Sequence, residues 1–288
     1  MDRKDFLKKG LMGLGAAAAA SVAATGNTAP DQEEQTPERV GYNHIPNEEI
    51  TTMKSVLHRA HTRGHANHGW LDSHHSFSFA NYHNPERMHF GVLRVLNDDI
   101  VAGGHGFPQH PHDNMEIISV PLAGALEHQD SMGNKHTIKA GDIQVMSAGT
   151  GVFHSEYNRN EGEETRFLQI WVFPNQRDVE PRYDQITLPD AADGMQQILS
   201  PNPDDAGVWV HQNTWFHRGR FDTETSGTYT LKDPANGVYI FMIEGAATVG
   251  QEMLGKRDGY GVWDTNAISY TAKPGTDMLV MEVPMALR

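Results

Sequence analysis

Beyond residue 90 the chain is cut into apolar runs too short and too irregular for helices, and this constrains the fold more than any other feature. Phe90–Leu96, Met115–Leu122, Ile143–Met146 and Phe167–Phe173 are strand-length and rich in branched or aromatic residues. Turn-forming stretches stand between them: Asn97-Asp98-Asp99, Ser131–Asn134, Ala140–Asp142 and Asn158–Glu163. A second block begins near Gly207, with runs at Val208–Val210, Thr228–Leu231, Val238–Glu244, Ala246–Val249, Ile268–Tyr270 and Met278–Val283. Within it Asn236-Gly237 and Asp258-Gly259 read as hairpin turns. Asp190–Leu199 is the best candidate for a short helix. Many short strands with no alternating helices predict an all-β chain, sandwich or barrel, and two such blocks predict a duplicated barrel. A length of 288 residues suits two domains. The boundaries expected are 54–180 and 181–288, joined through the polar, proline-containing stretch Pro174–Pro189.

The start of the chain is of another kind. Residues 1–24 read as an export signal: Arg3, Lys4, Lys8 and Lys9 outweigh Asp2 and Asp5, and a small-residue stretch with five consecutive alanines follows Gly10. Residues suited to cleavage lie around Ser21–Thr25. The order Arg3-Lys4-Asp5-Phe6-Leu7-Lys8 resembles a twin-arginine signal with Lys4 in place of the second arginine, and a plain Sec signal fits the same features. The stretch is too short and too weakly apolar for a stable membrane span. Residues 25–53, with prolines and acidic groups but little apolar periodicity, read as a flexible leader. Export would place the processed chain in the periplasm.

Composition narrows the chemistry. A formal charge of −14 argues against a nucleic-acid partner, because phosphate binding needs clustered Lys and Arg. The absence of cysteine removes disulfides, iron–sulfur clusters, thiolate zinc sites and cysteine nucleophiles. There is no His-Glu-x-x-His, no Gly-x-Ser-x-Gly and no phosphate loop. Seventeen histidines stand out, eleven of them between His58 and His112. In an extended segment residues i and i+2 share a face, so His110-Pro111-His112 can aim two imidazoles at one point. His154-Ser155-Glu156 offers a second such pair, and two antiparallel strands would bring the pairs together. Three imidazoles and a carboxylate leave two positions of an octahedron open, which suits Fe(II), Mn, Ni or Cu better than a closed zinc site. Asp113 and His128 are candidates for orienting the ligands. His211 and His217, six residues apart, read as ordinary strand or loop residues, and the histidines between His58 and His89 match no metal set.

Gly104-x5-His110-x-His112-x3-Glu116 resembles the first cupin motif, with its closing glycine one residue late at Gly124. Gly141 to Asn158 resembles the second, with Gly149 where cupins usually show proline and a longer interval before it. The closer resemblance is to the pirin family, bicupins that include quercetin 2,3-dioxygenases. It rests on Arg63-Gly64-His65, His68–Ser73, Phe77–Tyr82, Met115–Ile118, Glu127–Asn134 and Met146–Gly151. It runs from about Leu57 to Asp184 and more loosely to Arg288.

The resemblance implies two tandem cupin (jelly-roll-type) β-barrels, the first binding a metal and the second degenerate. A general cupin would offer Glu116 as the carboxylate ligand. Pirins use the glutamate two residues after the last histidine, so the implied ligands are His110, His112, His154 and Glu156, with Glu116 in reserve. The implied cofactor is one divalent ion, Fe(II) foremost, with Mn, Ni, Cu or Zn as alternatives. The implied activity is oxidative ring cleavage of a flavonol-like aromatic by O₂, releasing carbon monoxide and a depside, with Glu156 also taking the substrate's hydroxyl proton. Two alternatives stand beside it: a metal-binding regulator of the kind described for some pirins, acting on a protein partner, and a different cupin chemistry such as sugar isomerisation.

Overall fold

A computed structural model describes residues 53–189 and 193–287; the segments expected to be an export signal and a leader lie, up to residue 52, outside them. The first half holds β1 (Lys54–His58), β2 (Gly64–Asn67), β3 (Leu71–His75), β4 (Leu93–Val101), β5 (Gly106–His112) and β6 (Glu116–Ala123). It continues through β7 (Ala125–Asp130), β8 (Lys135–Lys139), β9 (Asp142–Ser147), β10 (Val152–Tyr157), β11 (Thr165–Val172) and β12 (Arg182–Thr187). The second half holds β13 (Gly194–Ser200), β14 (Val208–Trp209), β15 (Trp215–Phe221), β16 (Thr225–Thr230) and β17 (Asn236–Glu244). It closes with β18 (Ala246–Val249), β19 (Glu252–Gly255), β20 (Gly259–Trp263), β21 (Ala267–Ala272) and β22 (Thr276–Pro284). The one helical element described is a single 3₁₀ turn at Ala60–Thr62.

The strands form two barrels, each a large sheet closed by a small one. The first joins β12-β9-β6-β11-β4-β3-β2 to β5-β10-β7-β8, and the second joins β1-β20-β17-β22-β15-β13-β14 to β16-β21-β18-β19. Each barrel fills its own interior: Val95, Ile117, Leu126, Ile138, Met146 and Phe167 in the first, Phe221, Val238, Leu254, Val262 and Val280 in the second. A third core, including Phe90, Leu96, Ile118, Val145, Phe216, Tyr239 and Leu279, lies where the two large sheets meet back to back. This explains why β6, β11 and β17 read as nearly unbroken apolar runs: both of their faces are buried. Small-sheet strands alternate instead, as β10 does with Val152, His154 and Glu156 inward.

Four expectations are corrected. The predicted helix at Asp190–Leu199 is strand β13 from Gly194 onward, paired antiparallel with β15, its Ile198 and Leu199 packed in the shared core. Asn97-Asp98-Asp99 does not turn but runs through β4, because the buried acids find partners: Asp98 pairs with Arg63 and Arg257 at 3.2 Å each, and Asp99 accepts from Ser73 Oγ. Asn236-Gly237 opens β17, where a side chain on Gly237 would run into Phe90 and Met285. Finally, the barrels exchange edge strands across the expected boundaries. Arg182–Thr187 pairs with β9 of the first barrel, and Lys54–His58 pairs with β20 of the second.

Candidate metal centre

The centre is built on the β5–β10 ladder. Val152 pairs with His112 and His154 with His110, so alternation turns all three imidazoles inward while Pro111 and Phe153 face solvent. The register then shifts: Glu156 pairs with Phe107, leaving Pro108 and Gln109 of β5 opposite Ser155 alone. This β-bulge reverses the parity of β5, so Phe107 and His110, three residues apart, both face the interior. It also aims the Pro108 carbonyl at His110, whose Nδ1–H donates to it at 2.8 Å, leaving Nε2 free to ligate. The strands can approach here because position 106 is glycine; a Cβ on Gly106 would stand 2.2 Å from the Glu156 carbonyl oxygen.

Ring centroids of His110, His112 and His154 lie 4.4–4.9 Å apart, and one ring nitrogen from each lies within 4.8 Å of the others. Glu156 forms an overlapping group with His154 and His128 on the same limit. Its carboxylate accepts from Gln169 Nε2 at 2.9 Å and Ser119 Oγ at 3.3 Å, two neutral donors that orient it without cancelling its charge. Among the described residues no Lys or Arg lines the cavity. Neither nitrogen of the buried His154 ring has a hydrogen-bond partner among the described residues.

Burial pushes His110 down to about 4 and holds His112 and His154 well below the usual imidazole range, so the rings are neutral and their lone pairs available. Burial pushes the Glu156 carboxyl up to about 7. The same cavity wall holds Asp99, pushed up to about 8 by burial. Ser73 Oγ joins Asp99 to His75, whose Nε2–H donates at 2.8 Å. Neutral imidazoles, an uncompensated buried carboxylate and an orphaned ring form a donor set that fits a divalent cation.

The other sequence candidates fall elsewhere. Glu116 lies on the opposite face of β6, the face carrying Ile118 and Val120 into the shared core, and bonds Ser147 Oγ at 2.7 Å. It cannot join the three imidazoles. Asp113 is exposed after β5 and orients nothing there. His128 does sit beside the centre, opposite Glu156 in the β7–β10 ladder, with Nε2 3.0 Å from Asp130 Oδ2. His217 packs edge-on against Tyr229 in β15 and His211 against Trp209, and among the described residues the second barrel holds no cluster of potential ligands. Sequence reading missed Ser73, Asp99, Ser119 and Gln169. The last two were detectable as polar residues at inward positions of otherwise apolar strands.

The cavity at the centre measures about 30 Å³, with Phe79, Phe107 and Trp171 as its aromatic wall, room for an ion or a water but not for a ring system. A larger cavity of about 560 Å³ lies between the Asn67–Trp70 turn and the Glu161–Glu164 loop. It contains no imidazole, so size alone does not mark it as the chemical site.

Comparison with known proteins agrees with this architecture. The family described as Pirin matches residues 56–172, and the quercetinase C-terminal cupin domain matches residues 197–283. Quercetin 2,3-dioxygenase of Escherichia coli K12 is 43% identical over 228 residues, covering 79% of this chain and 98% of the relative. A pirin-like protein of Caulobacter vibrioides is 38% identical over 222 residues, covering 76% and 95%. The crystal structure of a bacterial pirin from E. coli in complex with nickel(II) is 41% identical with a TM-score of 0.77, covering 81% of this chain and all of that one.

Proposed function

This chain belongs to the pirin family, and on that footing we propose that it is a metal-dependent dioxygenase that opens the ring of a flavonol-like aromatic with O₂. The observation that carries the reading is the convergence of three buried, neutral imidazoles, His110, His112 and His154, with Glu156 grouped on His154 and with no hydrogen bond to the His154 ring among the described residues. In this reading His110, His112, His154 and Glu156 hold one divalent ion. Fe(II) is the ion we favour; Mn, Ni, Cu and Zn suit the same donors, and the related E. coli pirin was solved with nickel(II). Such an ion would supply Lewis acidity toward a substrate hydroxyl and, where it is redox-active as Zn²⁺ is not, a redox partner for O₂.

The chain's own residues do the rest. Glu156 accepts the substrate's hydroxyl proton, with Ser119 and Gln169 fixing the carboxylate in position. The Pro108 carbonyl keeps His110 in the tautomer that ligates through Nε2. Phe79, Phe107 and Trp171 line the cavity with apolar surface, which limits the water around the centre. Products are carbon monoxide and a depside, one O₂ being consumed per ring opened.

Oxygen uptake and carbon monoxide release, measured with a flavonol panel after loading with each metal, test the reading. Stoichiometric uptake and release support it; a protein that binds metal yet consumes no O₂ with any flavonol refutes it. We further propose that the chain acts after export to the periplasm. A fusion of residues 1–30 to a reporter that must fold before transport checks this, and cytoplasmic retention of the reporter counts against the twin-arginine route.

A further inference from the structure

We propose that the outer face of the β2–β3 hairpin is a second divalent-metal site, formed by His65, Asp72 and His74 and separate from the buried centre. His65 and His74 are direct cross-strand partners, with their rings stacked at 4.3 Å and 17°. Asp72 precedes His74 by two residues and so shares its face. Its Oδ1 lies 2.8 Å from His65 Nε2 and 3.5 Å from His74 Nδ1, and ligand atoms of all three lie within 4.8 Å of one another. Donors bound cis to one ion at ~2.1 Å stand ~3 Å apart, so these spacings already bracket what a common ion demands. Asn67 Nδ2 donates to Asp72 Oδ2 at 3.1 Å, which turns Oδ1 toward the imidazoles.

Strand alternation keeps the two sites apart. Ser73 and His75, between and beyond these residues, point inward, and Ser73 lines the buried cavity. The outer site is open to solvent: the His65 and His74 side chains are 50% and 35% exposed. Water or a second chain's donor can therefore complete the coordination. Two imidazoles and one carboxylate select Zn²⁺, Cu²⁺ or Ni²⁺ over Mg²⁺ or Ca²⁺. Because β2 is the sheet's edge strand, an ion shared by His65 and the β3 pair clips that edge to its neighbour.

The proposal is independent of the dioxygenase reading, and its test does not need activity. The metal-stripped full chain is titrated with Zn²⁺, desalted and analysed for zinc. The wild type should retain two equivalents, and His65→Ala/His74→Ala one. His110→Ala/His112→Ala should also retain one. A hairpin variant that retains as much zinc as the wild type overturns the proposal. Should the buried-site variant not fold, Cu²⁺ added to metal-loaded wild type should give an EPR signal with two-nitrogen hyperfine structure that the hairpin variant lacks. An identical spectrum from both proteins has the same overturning force.

Discussion

His154 stands directly opposite His110 in the β5–β10 ladder, and neither of its ring nitrogens finds a hydrogen bond among the described residues although the ring is buried. Leaving a buried polar group unpaired costs about 1–3 kcal/mol. A ligand that uses one of those nitrogens removes part of that cost, and the neighbouring imidazoles and Glu156 supply the remaining donors.

Glu156 has two tasks in this account, ligand and proton acceptor, and an amide separates them. Glu156→Gln retains the size and one acceptor oxygen but loses the charge. Detectable metal should remain in the loaded variant while turnover falls ~10²-fold or more. Elemental analysis paired with oxygen uptake measures both quantities; undiminished turnover would remove Glu156 as the base.

The bulge at Pro108–Gln109 works only while β5 lies close to β10. Gly106→Ala drives a Cβ to 2.2 Å from the Glu156 carbonyl oxygen, a backbone atom that cannot step aside. Loss of ~1–3 kcal/mol of stability is expected, together with weaker metal binding. Urea denaturation and metal titration of the variant report the two effects, and wild-type values in both would contradict the role given to the bulge.

In the second barrel a buried carboxylate serves structure instead of chemistry. Glu282 accepts from Tyr229 Oη at 2.8 Å, from the Lys232 and Asp233 backbone N–H groups and from Asn236 Nδ2 at 2.8 Å. Glu282→Ala strands several donors at once and should cost ~3 kcal/mol or more. Metal uptake by the molecules that remain folded should be unchanged, which elemental analysis of the folded fraction checks.

Stability of the metal-free protein should peak between about pH 6 and 7. Burial pushes His58, His75 and His217 down to about 4 from 6.5, so between those values the unfolded chain binds more protons and stability falls as pH drops. Burial pushes Glu116 up to about 7 and Asp99 up to about 8, so the folded chain holds their protons longer and stability falls as pH rises toward 8. Below 6.5 the histidines outnumber the acids; above it only the acids act. Denaturation midpoints at pH 5, 6.5 and 8 test this, and a monotonic trend would contradict it.

Much of this was legible in the sequence because short alternating runs and i, i+2 ligand pairs are local patterns. Ala246–Val249 appears as a strand with the limits read from sequence, and His110, His112 and His154 fall on one side of their strands. What local patterns could not carry were partners remote in the chain. Asn97-Asp98-Asp99 reads as a turn until Arg63, Arg257 and Ser73 are brought against it. The exchange of β1 and β12 between barrels left no local trace, since strand pairing is set by neighbours outside the local window: Lys54 pairs with Trp263 and Arg182 with Ser147. Asp99 escaped for the same reason, whereas Gln169 and Ser119 did leave a signal, a polar residue within an otherwise apolar strand.

An anomalous difference map from crystals of the metal-loaded protein, collected at the absorption edge of the bound ion, locates that ion. A peak is expected within ~2.0–2.3 Å of ring nitrogens of His110, His112 and His154 and of a Glu156 carboxylate oxygen. Loaded crystals with no peak among those four side chains would contradict that placement.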